Sequence, residues 1–292
     1  MRHMSMKQSI RFYNDREVRA IWNEEQNKWY FSIVDIVAVI TNSPRPRVYW
    51  GTVKNRQKDT HAELYSKCIQ LKLKSADGKR YATDCFAQED IAAVVKTLSS
   101  KNITAFLDWF TYSDNSIDGQ SRKKAYTLFE SGILDDMQAG TIQSLQQIHA
   151  YLFGGLYDFA GQIRTKTIWK DGTLFCRAEY LRYNLEQIEQ MPQTTFDEIV
   201  DKYVEMNIAH PFMEGNGRST RLWLDLIFKS SIKQCVDWSQ IDKKAYLQAM
   251  RQSTTDSSAI RELLRSAMTD QINDREIFMK GIDYSYYYEQ ED

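Results

Sequence analysis

The hydrophobic period is mixed before residue 113 and almost entirely helical beyond it, and that contrast limits what this chain can fold into more than any other feature. In two places before residue 113, apolar positions recur at every second residue. Val18, Ala20 and Trp22 alternate with polar neighbours, Asn23-Glu24-Glu25-Gln26-Asn27-Lys28 supplies turn chemistry, and Trp29 and Phe31 resume the alternation, which predicts a β-hairpin within 10–31. Ile69, Leu71 and Leu73 repeat the pattern ahead of Ala76-Asp77-Gly78-Lys79 and Tyr81, predicting a second hairpin turning at 76–79. Ser32 can cap a short helix through Ile40 that ends before the two prolines of Asn42-Ser43-Pro44-Arg45-Pro46, and 88–110 reads as helix. Further on the period is helical. Ile142, Leu145, Ile148, Leu152, Phe153 and Leu156 recur at threes and fours, and Thr195-Phe196-Asp197-Glu198 is a capping box. Between the two regimes, 113–120 is polar and has linker composition. With 292 residues the chain is longer than a usual single domain. The expectation is a mainly α protein, with a smaller α+β domain over 8–112, a linker over 113–124 and an all-α bundle over 125–292.

Composition excludes several classes. With 42% apolar and 26% charged residues, long disordered tracts are not expected. Cys68, Cys85, Cys176 and Cys235 form no C-x-x-C pair and no zinc-like cluster, which fits a reducing compartment. No run reaches the roughly 18 to 20 apolar residues of a membrane span, and the first six residues lack the apolar core of a signal peptide, so a cytoplasmic location without membrane contact is expected. Lys and Arg outnumber Asp and Glu by 18 to 13 over 1–115, which with a net charge of −1 leaves the remainder at −6. A surplus of this size permits a nucleic-acid partner without demanding one.

The chemistry concentrates in His210-Pro211-Phe212-Met213-Glu214-Gly215-Asn216-Gly217-Arg218-Ser219-Thr220-Arg221, which lies between two amphipathic helices. Gly215 and Gly217 allow a tight turn and close approach of backbone to a ligand, and a helix opening near Gly217 would present free N–H groups and a positive dipole end to a phosphate. Arg218 and Arg221, three apart on one helix face, suit phosphoryl oxygens. An acid beside them makes best sense holding a divalent ion that bridges phosphates, so Glu214 is the candidate ligand and Mg²⁺ the candidate ion. His210, just before the turn, can take a proton from an incoming hydroxyl.

That string resembles the signature of the Fic family, H-P-F-x-[DE]-G-N-G-R-x-x-R, at every fixed position. The likeness extends to Ile148-His149-Ala150-Tyr151-Leu152-Phe153 and on to Gly161-Gln162-Ile163-Arg164, within which His149 reads as structural. Residues 165–175, alternating around Asp171-Gly172, resemble the family's β-hairpin flap, whose Lys166, Thr167, Ile168 and Trp169 would pair with the extended backbone of a target. The resemblance implies an all-α Fic bundle with a small flap that transfers AMP from Mg·ATP to a Ser, Thr or Tyr hydroxyl of a protein. His210 would then be the base, Glu214 would hold the metal, Gly215 would form the tight turn, and Asn216, Gly217 and Arg218 would bind phosphate oxygens. Arg221 would orient the γ-phosphate. Ser285-Tyr286-Tyr287-Tyr288-Glu289 resembles the family's self-inhibition helix, [ST]-x-x-x-E-[GN], with Ser285 and Glu289 in its key positions. Gln290 departs from that pattern.

More loosely, 8–112 resembles the BRO-type N-terminal domain of phage antirepressors. Its basic segment Arg45, Arg47, Lys54, Arg56 and Lys58, interleaved with Tyr49 and Trp50, would suit a nucleic-acid backbone or form a solvated face. Two other functions stay open at this stage: a DNA-binding regulator with an autoregulatory Fic domain, and a Fic enzyme that uses another nucleotide or removes AMP. A homo-oligomer is left open.

Overall fold

The computed structural model describes residues 7–75, 78–113, 115–170 and 173–290. Two compact units divide between Asn115 and Ser116. The first has a five-stranded antiparallel sheet of order β1-β2-β3-β5-β4. It runs β1 (Lys7–Tyr13), β2 (Arg16–Asn23), β3 (Lys28–Ser32), α1 (Ile33–Thr41), α2 (Pro46–Gln57), α3 (Ala62–Ser66), β4 (Ile69–Lys74), β5 (Arg80–Ala87), α4 (Ile91–Val95) and α5 (Ile103–Ser113). The alternation places Val18, Ala20 and Phe31 on the sheet face that packs with Ile36, Ile40, Val94 and Phe106, while Ile21, Tyr30, Leu73 and Cys85 form a smaller cluster of their own.

Both hairpins are present, with Ile21 opposite Tyr30 and Leu71 opposite Thr83. A third strand, β1, joins the first because Asn14 and Asp15 adopt φ of 47° and 58°, the left-handed conformation that these two residue types tolerate. Residues Ala76 and Asp77 of the second turn lie outside the described residues. Ser32 caps α1, accepting from Asp35 N at 3.2 Å, and Asn42 ends it in left-handed geometry.

The helix expected over 88–110 is instead two, α4 and α5, with a break between. Ser100 Oγ and Asn102 Nδ2 both donate to the Ile40 carbonyl, at 2.9 and 3.0 Å, so these side chains serve the end of α1 rather than a continuous helix. The basic segment is α2, with Pro46 in its first turn. Trp50 stacks on Tyr65 and donates to Asp84 at 2.8 Å, and Lys54 pairs with the same carboxylate.

The second unit is helical: α6 (Ile117–Glu130), α7 (Ile142–Phe153), a short hairpin of β6 (Trp169–Lys170) and β7 (Thr173–Leu174), α8 (Ala178–Gln190), α9 (Phe196–Ala209), α10 (Asn216–Ile232), β8 (Cys235–Val236), α11 (Lys243–Gln252), α12 (Ser258–Ser266), β9 (Met268–Thr269) and α13 (Arg275–Tyr287). The segment expected as a linker over 113–124 is mostly α6, because Ser116 caps it by accepting from Gly119 N at 3.0 Å. Thr195 and Glu198 close a reciprocal capping box on α9. At the centre lies α10, whose Trp223, Leu224, Ile227 and Phe228 are fully buried, with α7, α9 and α13 packed against it. Gly281 lets α13 approach Trp238, where a Cβ would come within 3.2 Å of the indole. Among the described residues, no helix is long and apolar enough to cross a membrane.

Candidate functional site

The signature segment is the connection between α9 and α10. His210 terminates α9 in the left-handed conformation, φ 49° and ψ 65°, and its N–H reaches back to Met206 O at 3.0 Å. Gly215 opens α10 at φ 80°, where a side chain would also strike the Phe153 ring, so the position excludes anything but glycine on two grounds. Asn216, expected to bind phosphate, turns its side chain to the loop instead. Its Oδ1 accepts from Phe212 N and its Nδ2 donates to Phe212 O, each at 2.8 Å, so it braces the turn while the first-turn amides of α10 lack intrahelical acceptors.

His210 is half-buried. Phe175, at the end of the hairpin, stacks on its imidazole with centroids 3.7 Å apart. Its Nδ1 lies 3.3 Å from Asn207 O, and a proton shared there puts the basic lone pair on Nε2. Glu214 Oε1 accepts from Gly215 N and Arg218 Nη2, both at 2.9 Å, leaving its second oxygen on a side chain that is 43% exposed. Arg218 is buried, pairs with Asp118 as well as Glu214, and packs its guanidinium over Phe153 and Tyr286. Asp118 thus enters the site from α6, in the segment expected to be a linker.

Arg221 bonds through all three of its side-chain nitrogens. Its Nε donates to Ser285 Oγ and one Nη2 bond goes to Ser285 O, each at 2.7 Å, while Tyr246 OH lies 3.2 Å from Nη1 and Nη2 also pairs with Glu289. That same carboxylate lies against the start of α10, since a Cβ on Gly217 would collide with Glu289 Oε1. Ser285 and Glu289, singled out by the resemblance to the family's self-inhibition helix, meet Arg221 and Gly217. Gln290 ends the segment with its carbonyl accepting from Lys243 Nζ at 2.7 Å.

The flap residues are gathered less tightly. Thr167 Oγ1 accepts from Ala178 N at 3.1 Å, Ile168 O accepts from Phe175 N at 3.4 Å, and Trp169, paired with Leu174, is 68% exposed. The backbone carbonyl of Lys166 accepts from Arg164. Asp171 and Gly172 of the expected turn lie outside the described residues.

Three groups hold this loop: His149, read from the sequence as structural, and Arg164 and Asp118, to which the sequence assigned no role. His149, buried on α7, bonds Glu214 O through Nε2 at 2.9 Å and accepts from Gly161 N through Nδ1 at 2.8 Å, while its ring stacks on Phe212 at 3.8 Å. Burial lowers its pKa to about 4, so the neutral Nε2–H tautomer is the one the loop requires. Arg164 bonds the carbonyl of His210, and Asp118 bonds Arg218. No spacing rule links residues 149 or 118 to a loop 65 or 100 positions away.

Residues 140–228 match the model of the Fic/DOC family. Among curated proteins, the "Probable protein adenylyltransferase Fic" of Escherichia coli is 28% identical over 116 residues, which is 36% of this chain and 58% of that protein. The protein adenylyltransferase VbhT of Bartonella schoenbuchensis is 27% identical over 123 residues, 38% of this chain and 26% of its own length. The chain thus spans between about a quarter and three fifths of these relatives. Among solved structures, BepC of Bartonella tribocorum with bound AMPPNP aligns at 20% identity and a TM-score of 0.43, covering 52% of this chain and 84% of that one. Fic-1 of C. elegans aligns at 19% identity and a TM-score of 0.42, covering 52% and 48%. Within the helical unit, residues 140–228 thus resemble the Fic/DOC family, and the chain has homologues named as protein adenylyltransferases.

Proposed function

We propose that the helical unit transfers AMP from ATP to a hydroxyl of a protein, and that α13 restrains it. The observation that carries this reading is the carboxylate of Glu289 seated against Gly217 and Arg221: the chain's own anion sits where the N-terminus of α10 and a buried arginine would receive phosphate. His210, on the same turn, supplies the base. The substrate hydroxyl loses its proton to Nε2 as its oxygen bonds the α-phosphorus, the bond from that phosphorus to the bridging oxygen breaks, and pyrophosphate leaves. The N-terminal amides of α10 and Arg218 stabilise charge developing on the phosphate oxygens. Asn216 contributes by holding the turn that aims those amides.

Mg²⁺ fits the donor set as an ion shared with the nucleotide rather than a resident one. Among the described residues no group of three or more His, Cys, Asp or Glu could hold a metal, and Glu214 offers one half-exposed carboxylate. The remaining ligands would come from the nucleotide's phosphates and water. When bound, the ion neutralises charge on the phosphates.

With Glu289 on Arg221, the γ-phosphate loses its partner and ATP would bind misaligned for in-line attack. The flap strand around Lys166, Thr167, Ile168 and Trp169 is the proposed target-docking edge, supported by the exposed Trp169 beside a hairpin that ends on His210. For the first unit we propose a BRO-type docking module. Exposed Arg45 at the start of α2 and Arg56 within it favour an anionic partner such as DNA, whereas Lys54 is already paired with Asp84. Incubation with α-phosphate-labelled ATP and protein substrates tests the main reading: labelled protein supports it, and release of free AMP or use of another nucleotide alone would replace it.

A further inference from the structure

Arg164 is a buried guanidinium whose hydrogen bonds go to backbone carbonyls. Its Nε donates to His210 O at 2.7 Å, Nη2 to Ala209 O at 3.0 Å and to Cys176 O at 2.5 Å, and Nη1 to Lys166 O at 2.6 Å. Its own N–H donates to Pro211 O at 2.9 Å. Two of the four carbonyls belong to the C-terminal turn of α9, which leaves its last acceptors without intrahelical donors. The other two stand at the two feet of the flap, before β6 and after β7. One rigid, planar fork thus spans the base of the flap and the backbone of His210 at once, a geometry that the flexible single ammonium of lysine does not match.

Two further contacts join the same parts. Cys176 N donates to Ile208 O at 3.2 Å, and Phe175 stacks on the His210 ring. His210 also holds a left-handed conformation that a residue with a Cβ adopts at a cost. A bonded carbonyl on that residue opposes its relaxation.

We infer that Arg164 is a positioning residue that makes the flap and His210 one mechanical unit, so that a protein segment seated on the flap meets the imidazole at a fixed distance. This rests on His210 acting as the base. The substrate class that follows is an extended peptide backbone carrying the hydroxyl, because free small alcohols would gain nothing from the coupling. Loss of Arg164 displaces base from substrate while leaving the phosphate site, built on α10, in place.

The test uses the full chain with Glu289→Gly as background. Arg164→Lys should lower kcat for transfer from α-phosphate-labelled ATP by about 100-fold, the cost of a displacement of about 1 Å, with KM for ATP within about threefold. Backbone amide exchange should rise at both 165–176 and 206–211. For Arg164→Ala, guanidinium ion below denaturing concentration should restore part of the transfer, whereas ammonium should not. Wild-type turnover and exchange in Arg164→Lys would overturn the inference, as would equal losses of nucleotide binding and transfer. If Arg164→Ala does not fold, the lysine variant decides alone. The exchange measurement needs no activity, so labelling that survives His210→Ala removes the base reading without touching the clamp.

Discussion

Replacing Glu289 by glycine separates restraint from folding. The carboxylate bonds Arg221, which is only 2% exposed, and truncating one partner of a buried ion pair commonly costs about 3 to 5 kcal/mol. Here the loss should fall below that range, near 2 kcal/mol, because Arg221 keeps both Ser285 oxygens, Tyr246 and the faces of Tyr246 and Tyr288 at 5.5 Å. The rest of α13 stays anchored. Tyr288 OH lies between Trp238 O and Ile241 O at 2.8 and 2.9 Å, and Asp283 accepts from Tyr126. Phosphate can then take the vacated place, so ATP should stabilise the variant more than it does the wild type. Saturation at about 100 times Kd adds about 2.7 kcal/mol. Transfer should rise about 100-fold as the α-phosphorus comes into line. Thermal unfolding with and without ATP, alongside incorporation of α-phosphate label, reads both quantities. Equal ATP-induced shifts and equal labelling rates in variant and wild type would refute the restraint and leave α13 a purely structural helix.

His210→Ala should abolish labelling while nucleotide affinity stays within a few-fold, as measured by binding of a non-hydrolysable analogue, because the base acts on the hydroxyl. Asp118→Asn should weaken nucleotide binding and transfer together in titration and labelling, since it loosens Arg218 without touching His210. Stability should also depend on pH through His149. Its folded pKa of about 4 lies below the unfolded 6.5, so its contribution is complete above pH 6.5 and falls as the pH drops towards 4. The loss is about 2 kcal/mol by pH 5, and urea unfolding at about pH 7 and pH 5 should show a difference of that size that His149→Gln lacks. If the first unit binds DNA through α2, affinity should fall steeply with added salt and with joint replacement of Arg45, Arg47, Lys54 and Arg56, and no gel shift at low salt would exclude it.

What the sequence by itself determined is local. Alternation around Trp22 and Leu71 specified strands because side-chain period and strand geometry share one repeat, and Ser32 and Thr195 announced helix starts because a cap depends on residues within one turn. The twelve residues from His210 to Arg221 were legible because they are contiguous, and Ser285 and Glu289 stood out through their resemblance to the family's self-inhibition helix. Tertiary structure decided the rest. It ended α4 because Ser100 and Asn102 found a carbonyl at Ile40, and turned Asn216 inward because Phe212 offered both a donor and an acceptor. It also drew Asp118 out of an expected linker to neutralise Arg218. Arg164 stands in the sequence only as the end of the Fic-like stretch, and only the fold brings four carbonyls from two segments within reach of its fork. A buried polar group must find partners wherever the chain supplies them, and the separation of those partners along the chain follows no period.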